Sequence, residues 1–239
     1  MSETVKGSYA TKALVPVEKA VRIPDGVSTK VAAAAWLQGL TAHYLSHSTF
    51  PLKAGDTCLI HAAAGGVGLL LCQMAKKRGA FVIGTASTDE KRKLAHAAGA
   101  DAMIDYTSQD FAAETKRLTK NVGVNVVYDS VGKTTFDKSL DSLRPRGMMV
   151  LFGQSSGPVP PMDPQILNRK GSLFFTRPTL GTHVATRDEL EWRASDLLGW
   201  IANGELDVRV GAEFPLANVA DAHRALAGRE TTGKVLLIP

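Results

Sequence analysis

A run of alanines and glycines lies between a short apolar segment and an amphipathic one. The run is His61–Gly68 (HAAAGGVG). Thr57–Ile60 precedes it as a predicted strand, and Val67–Arg78 follows with apolar residues at helical spacing. A glycine turn between strand and helix lets the backbone approach a pyrophosphate, and the N–H groups at the helix start favour its charge. The pattern AxGxxG, with alanine at the first glycine position, therefore predicts dinucleotide binding.

Strand and helix patterns alternate after this turn. Further strands are predicted at Phe81–Thr85, Ala102–Asp105, Val124–Tyr128, Met148–Phe152 and Ser172–Phe175. Helices are predicted between them: one to Ala98 opened by a Ser87-x-x-Glu90 capping box, one over Phe111–Leu118, and one carrying Phe136, Leu140 and Leu143. Six strands alternating with helices predict an α/β protein with a doubly wound parallel Rossmann sheet.

The two ends of the chain depart from this alternation. Tyr9–Val15 has a strand-like pattern without a crossover partner. Towards the other end, the patterns predict helices at Leu190–Ile201 and near Val219–Leu226, and a last strand at Val235–Ile238. We expect these flanks to be parts of a second, discontinuous domain.

The composition is that of an ordinary globular protein. Of 239 residues, 44% are hydrophobic and 21% charged, and no apolar run approaches the ~18 residues of a membrane span. The polar start Met1–Thr4 is not followed by a signal-peptide core. Cys58 and Cys72 fall on a predicted strand and helix, so we interpret them as core thiols in a reducing, cytoplasmic setting.

The basic residues do not favour a nucleic-acid surface. The net charge is +5, and the lysines and arginines cluster in Lys76–Arg78 and Lys91–Lys93, both on predicted helices. No aromatic stacking platform accompanies them. Solvated helix faces are the main interpretation of these clusters, and a positive field that attracts a polyanionic cofactor is a further one.

The end of the second strand predicts which dinucleotide binds. An acid there would hydrogen-bond the adenosine ribose and repel a 2′-phosphate. The chain has Gly84–Ser87 instead, with no carboxylate until Asp89, and Lys91 and Tyr106 fall near the same corner. A lysine–phosphate contact contributes about 1.5–3 kcal/mol. The sequence therefore predicts a preference for NADPH.

Several stretches together resemble one family. They are Ala62–Gly68, Gly84-Thr85 with Lys91, Tyr128–Gly132, Gly147–Gly157, Gly171–Pro178 and Gly233–Pro239. The chain resembles the NADPH:quinone oxidoreductases, the zinc-free, zeta-crystallin-like branch of the medium-chain dehydrogenase/reductase superfamily. The resemblance implies a Rossmann domain at 38–178, inserted into a GroES-like catalytic domain represented by 1–37 and 179–239. It also implies hydride transfer from NADPH to a quinone.

The resemblance also implies a set of cofactor-binding residues. Thr41 would lie near the nicotinamide, and Phe175 and Arg177 would close the cleft. Gly65, Gly66 and Val67 would hold the pyrophosphate. Gly84, Lys91 and Tyr106 would form the 2′-phosphate corner. The ribose and nicotinamide side would be lined by Ser130, Phe152, Gly153, Gln154 and Ser155. No catalytic acid–base residue is identified, since the reduced oxygen can take its proton from solvent.

This chain differs from the family pattern at its N-terminal end. Family members have a longer N-terminal segment, so we expect a truncated chain whose activity is open to question. Two alternatives stay open: an NADPH-binding module or pseudoenzyme without turnover, and an enoyl or other activated-alkene reductase on the same scaffold. Retention on RNA that survives moderate salt would favour a nucleic-acid role instead.

Two further expectations concern metal and assembly. His43 and His47 are four residues apart on a predicted helix, but no third ligand is near, and Ala34–Gly39 lacks the cysteine of the zinc-dependent relatives. We therefore predict no metal. The apolar edge strand 172–175 would be a liability if left open, which favours a homodimer through that edge.

Overall fold

The computed structural model describes residues 7–228 and 231–239 and divides the chain into two compact units. The sheet unit comprises residues 45–64 and 71–179, and the flanking unit comprises the described residues of 1–44, 65–70 and 180–239. In chain order the elements are α1 (Thr29–Tyr44), β1 (Thr57–Ile60), α2 (Gly66–Lys77), β2 (Phe81–Ala86), α3 (Asp89–Ala97), β3 (Ala102–Asp105), α4 (Phe111–Leu118), β4 (Val124–Asp129), α5 (Phe136–Asp141), β5 (Leu143–Leu151), α6 (Gln165–Arg169), β6 (Phe174–Thr176), α7 (Leu180–His183), α8 (Arg187–Ala202), β7 (Val210–Pro215), α9 (Val219–Ala227) and β8 (Lys234–Ile238).

The sheet unit contains six parallel strands in the order β3-β2-β1-β4-β5-β6. This is the strand order of the doubly wound dinucleotide fold, and it confirms the predicted fold class. The direction of winding reverses between β1 and β4. Helices therefore leave the carboxyl ends of these two strands towards opposite faces, and the crevice between them is where such folds bind ligands.

The strands of this sheet are apolar because helices cover both faces. The core side chains are Leu59, Ile83, Ile104, Phe111, Val124, Val127, Phe136, Leu140, Leu143, Met149, Leu151 and Leu173. Burying each leucine, isoleucine or valine contributes about 1.5–3 kcal/mol. Cys58 and Cys72 are free and fully buried, as predicted. Burial raises the pKa of the Cys72 thiol to about 12, so this thiol is protonated and unreactive at neutral pH.

Local patterns misplaced the start of α3 and the boundary between α5 and β5. The N-cap of α3 is Thr88, whose Oγ1 accepts from the backbone of Lys91 at 3.3 Å, so the predicted capping box at Ser87 is wrong by one residue. Leu143 lies in β5 rather than in the preceding helix, because it pairs with Val124 of β4. This strand pairing outweighs the helical spacing of the apolar residues.

Two other predicted strands also differ from the structure. The last strand of the large sheet begins at Phe174 instead of Ser172, because Ser172 has a φ of 56°, which extended backbone does not allow. Tyr9–Val15 forms no strand, and its residues are exposed. A strand pattern without a partner to complete its hydrogen bonds does not produce a strand.

The flanking unit combines α1, α7, α8 and α9 with a parallel two-stranded sheet, β7-β8. The sequence patterns predicted α8, α9 and β8 but missed β7. Helices α1 and α8 approach closely at Gly39, where a Cβ atom would lie 2.5 Å from Leu197 Cδ1. None of the helices among residues 7–228 and 231–239 is long and apolar enough to cross a membrane.

Candidate nucleotide site

The glycine turn leads into α2 as predicted. The helix begins at Gly66, and the carbonyl of Gly65 accepts its first backbone hydrogen bond, from Leu69 at 2.9 Å. N–H groups in the first turn of a helix have no acceptor within the helix and therefore favour an anion. A Cβ atom at Gly66 would overlap the carboxamide of Gln38 in the flanking unit, so a larger residue there would displace that side chain.

The structure brings the residues predicted for the 2′-phosphate to one corner of the sheet unit. Gly84 lies on β2, Tyr106 directly follows β3, and Lys91 is in the first turn of α3. Parallel pairing puts the carboxyl ends of β2 and β3 side by side, and Tyr106 is 44% exposed there. A Cβ atom at Gly84 would lie 2.8 Å from that of Ala63, so close packing is one reason for this glycine.

An acid that was not predicted from the sequence lies at the same corner. Asp105, the last residue of β3, is the register partner of Ala86 at the end of β2. Its carboxylate lies 2.8 Å from Nη1 of Arg92 on α3. Hydrogen bonds from Thr107 hold the pKa of Asp105 below its ordinary value, and the charge of Arg92 adds to this effect. The corner therefore contains a carboxylate together with its counter-ion.

The residues predicted for the ribose and nicotinamide side also come together, where β4 and β5 end. The backbone N–H of Phe152 donates to the carbonyl of Asp129 at 2.9 Å, and that of Ser155 donates to the carbonyl of Ser130 at 3.1 Å. A Cβ atom at Gly153 would lie 2.6 Å from the Ser130 carbonyl oxygen. Close backbone approach therefore explains the glycine in this loop.

A buried carboxylate stabilises the turn that follows β4. Asp129 is fully buried at the end of β4 and accepts four hydrogen bonds. The donors are the backbone N–H groups of Val131 (2.7 Å) and Gly132 (3.0 Å) and the hydroxyls of Thr135 (2.7 Å) and Ser139 (2.9 Å). These bonds offset the cost of burying the charge and fix the turn that carries Ser130.

His61 connects that carboxylate to the neighbouring strands. It directly follows β1 and is buried, with Nε2 3.0 Å from Ser139 Oγ and Nδ1 3.1 Å from Thr85 Oγ1. Burial lowers the pKa of His61, and the negative charge of Asp129 opposes this shift. This network was not predicted from the sequence. Its only local sign is a histidine after an apolar strand.

Three of the predicted residues have other contacts. In the flanking unit, Thr41 Oγ1 donates to the carbonyl of Leu37 within α1 at 2.7 Å. In the sheet unit, the ring of Phe175 is 37% exposed and meets Phe136 edge-on, with the ring centroids 5.5 Å apart. Arg177 is exposed and donates to the carbonyl of Pro178 at 3.3 Å.

The histidine pair does not form a metal site. In the flanking unit, Nδ1 of His43 accepts from Arg193 Nη1 at 3.1 Å, and its Nε2 contacts Asp196 Oδ2 at 3.0 Å. Both ring nitrogens are therefore engaged. In the sheet unit, Nδ1 of His47 contacts Ser46 Oγ at 2.9 Å. Within residues 7–228 and 231–239, no group of three or more His, Cys, Asp or Glu residues could hold a metal ion.

The fold and the glycine turn are those of one class of protein. A doubly wound sheet that continues from β1 through a glycine turn into α2 is typical of proteins that bind dinucleotides. The family model described as zinc-binding dehydrogenase matches residues 66–200. A quinone oxidoreductase of Pseudomonas aeruginosa is 46% identical over 233 residues, which are 98% of this chain and 72% of that protein.

The particular family follows from these matches: the chain belongs to the quinone oxidoreductases of the zinc-binding dehydrogenase family. A 2-haloacrylate reductase of a Burkholderia species is also similar, with 42% identity over 98% of this chain and 71% of that protein. Because 72% of the P. aeruginosa protein is matched, the chain spans somewhat less than three quarters of that relative.

Solved structures agree with this assignment. A mycobacterial protein complexed with NADPH superposes with a TM-score of 0.95 at 49% identity, over 98% of this chain and 72% of that one. The quinone oxidoreductase of Escherichia coli, also complexed with NADPH, gives a TM-score of 0.91 at 45% identity, over 93% and 69%. At such identities the similarity extends beyond the fold to the family.

Proposed function

We propose that this chain is an NADPH-dependent quinone oxidoreductase, which transfers a hydride from NADPH to a quinone. The observation that carries the proposal is the corner at the ends of β2 and β3. There β2 ends without an acid, and Lys91 and Tyr106 lie beside it. A lysine at this corner favours a 2′-phosphate, which only NADPH carries. Two relatives of known structure were solved with NADPH.

The residues of this chain would bind and orient the cofactor, and the bound dihydronicotinamide would supply the hydride. Residues 38–178 form the cofactor-binding domain in this proposal. The 2′-phosphate is assigned to Gly84, Lys91 and Tyr106. The pyrophosphate is assigned to Gly65, Gly66 and Val67. The ribose and nicotinamide side is assigned to Ser130 with Phe152–Ser155. Thr41, Phe175 and Arg177 complete the set. Orientation and exclusion of water are the protein's main contributions to such a transfer.

The proposed reaction is independent of zinc. Both ring nitrogens of His43 are occupied by protein partners, Arg193 and Asp196. The segment Ala34–Gly39 contains no cysteine. Hydride transfer to a quinone needs no Lewis acid, since the quinone oxygen accepts a proton as it is reduced. Activity that persists after dialysis against a chelator would agree with this part of the proposal.

Cofactor titration followed by turnover tests the proposed function. Calorimetry with NADPH and NADH separately should give tighter binding of NADPH, by about 10- to 150-fold, the range expected for one lysine–phosphate contact. Addition of 1,4-benzoquinone should then cause NADPH-dependent loss of absorbance at about 340 nm, the band of the reduced nicotinamide. Equal affinity for the two cofactors, or binding of neither, would contradict the proposal.

A second candidate reaction is supported by the 42% identity to a 2-haloacrylate reductase. The cofactor site would be the same, and the acceptor would be an activated alkene instead of a quinone. A panel of quinones and α,β-unsaturated acids, compared by kcat/KM, separates the two candidates. NADPH binding without turnover of any acceptor would instead favour a binding module or pseudoenzyme.

We further propose a homodimer and a cytoplasmic location. Strand β6 is at an edge of the large sheet, and Phe174 is 57% exposed on it. Pairing with the same strand of a second copy would bury this ring and continue the sheet. Cys58 and Cys72 are both free thiols, which is typical of proteins in reducing compartments. Fractionation of cells that express the chain tests the location.

A further inference from the structure

An acidic side chain lies at the corner assigned above to the 2′-phosphate. Asp105 ends β3, pairs in register with Ala86 at the end of β2, and directly precedes Tyr106. Its side chain is 22% exposed. A carboxylate here has the same sign of charge as a 2′-phosphate, so an uncompensated Asp105 would disfavour NADPH, and NADH would be affected much less.

Arg92 provides the compensating charge. Its Nη1 lies 2.8 Å from Asp105 Oδ2, and its side chain is 25% exposed. Nη1 is buried and forms no hydrogen bond of satisfactory geometry, so the contact is an ion pair. Arg92 also lies 3.8 Å from Asp89, but Asp89 has a closer partner in Lys93 at 2.7 Å. Asp105 is therefore the main electrostatic partner of Arg92.

The turn after β3 keeps the carboxylate of Asp105 in place. The backbone N–H and the hydroxyl of Thr107 donate to Asp105 Oδ1 at 3.0 and 2.6 Å, which leaves Oδ2 facing Arg92. These hydrogen bonds lower the pKa of Asp105, so it is ionised at neutral pH. The acid thus has a structural role in this turn, and its charge persists beside the proposed cofactor site.

We propose that Arg92 is a specificity-determining residue, which neutralises Asp105 so that this corner accepts the 2′-phosphate of NADPH. The inference rests on the proposed function, because it concerns selection at the same site. Arg92 acts through Asp105 and needs no contact of its own with the cofactor. Lys91 attracts the phosphate, and Arg92 removes a repulsion that would oppose it.

A double-mutant cycle tests this inference. The Kd values of NADPH and NADH are measured by calorimetry at low ionic strength for the wild type, Arg92→Gln, Asp105→Asn and the double variant. Asparagine is chosen because its Oδ1 can still accept both bonds from Thr107. Arg92→Gln should weaken NADPH binding about tenfold and leave NADH binding unchanged. The double variant should recover most of the affinity for NADPH.

Lys93→Gln is the matched control, because it removes the same charge from the same helix. Lys93 is 78% exposed and pairs with Asp89, so its removal should change NADPH affinity by less than about twofold. An equal loss of NADPH affinity in Arg92→Gln and Lys93→Gln would show only the general effect of removing a positive charge from this helix, and it would overturn the inference. A loss of NADH binding in Arg92→Gln would overturn it as well.

Three further outcomes bear on this inference, and the last two separate it from the proposed function. A double variant as weak as Arg92→Gln would show that Arg92 itself contacts the cofactor, which overturns action through Asp105. A wild type that prefers NADPH, with the preference retained in Arg92→Gln, refutes the inference and leaves the proposed function standing. A wild type without any preference for NADPH refutes both.

Discussion

The imidazole of His61 is held in one neutral tautomer by hydrogen bonds of defined direction. The hydroxyl of Ser139 donates its one hydrogen bond to Asp129, so its oxygen must accept a hydrogen bond from His61 Nε2. His61 Nδ1 is then an acceptor, and the hydroxyl of Thr85 donates to it. Protonation of Nδ1 would replace this acceptor by a second donor. The network therefore opposes the charged form, in agreement with the lowered pKa of His61.

This tautomer predicts how stability depends on pH. The folded pKa of His61 lies below the ordinary 6.5, so the unfolded chain binds the proton more readily. The contribution of His61 to stability is complete above pH 6.5 and is lost as the pH falls from there towards the folded pKa. We expect the free energy of unfolding in urea to fall in this window, by at most about 1.4 kcal/mol per pH unit, and His61→Gln to reduce that slope.

His96, exposed on α3, is the matched control for the loss of one imidazole. Burial also lowers the pKa of His183, so some pH dependence should remain in His61→Gln. If His61→Gln and His96→Gln alter the slope equally, the buried network is not its source.

The packing of two helices in the flanking unit depends on a buried arginine. Arg193 of α8 is 1% exposed, and its guanidinium donates to the carbonyl of His183 at 2.7 Å and to His43 of α1 at 3.1 Å. We expect Arg193→Met to lower the free energy of unfolding by about 2–4 kcal/mol, because the buried ring of His43 would lose this donor and the His183 carbonyl would lose its hydrogen bond. Urea denaturation measures this change.

Arg117 serves as the control for this prediction. It is 68% exposed on α4 and pairs with Glu114 one turn away. Arg117→Met should therefore change stability by no more than about 0.5 kcal/mol. A similarly small change in Arg193→Met would show that the buried contacts between α1 and α8 contribute little to folding.

At the scale of the whole molecule, the open edge of the large sheet predicts how copies associate. Phe174 is 57% exposed on β6, and a lysine in its place would bring like charges together across a two-fold axis. We expect the wild type to sediment as a dimer at micromolar concentration and Phe174→Lys as a monomer. Val122 is 59% exposed in the turn before β4, away from this edge, so Val122→Lys should remain dimeric. A wild-type monomer would contradict the proposal.

The elements with strong local signals were predicted with little error. Strands β1 and β3 and helix α4 have the predicted bounds, because each combines an apolar pattern of suitable length with a clear beginning and end. The N-cap of α4, Asp110, accepts from the backbone of Ala112 and Ala113. Leu143 was assigned wrongly because its pairing with Val124 is a contact between distant segments, which periodicity does not report.

The site likewise has parts that follow from local sequence and parts that follow from contacts between distant segments. The sequence by itself determined the strand–turn–helix around Gly65 and the absence of an acid at the end of β2, since both depend on neighbours in the chain. Only the tertiary structure decided that Asp105 lies beside that end with Arg92 as its counter-ion, and that His61 reaches Asp129 through Ser139. These pairings depend on strand order and register, which bring together polar and charged side chains that are distant in sequence.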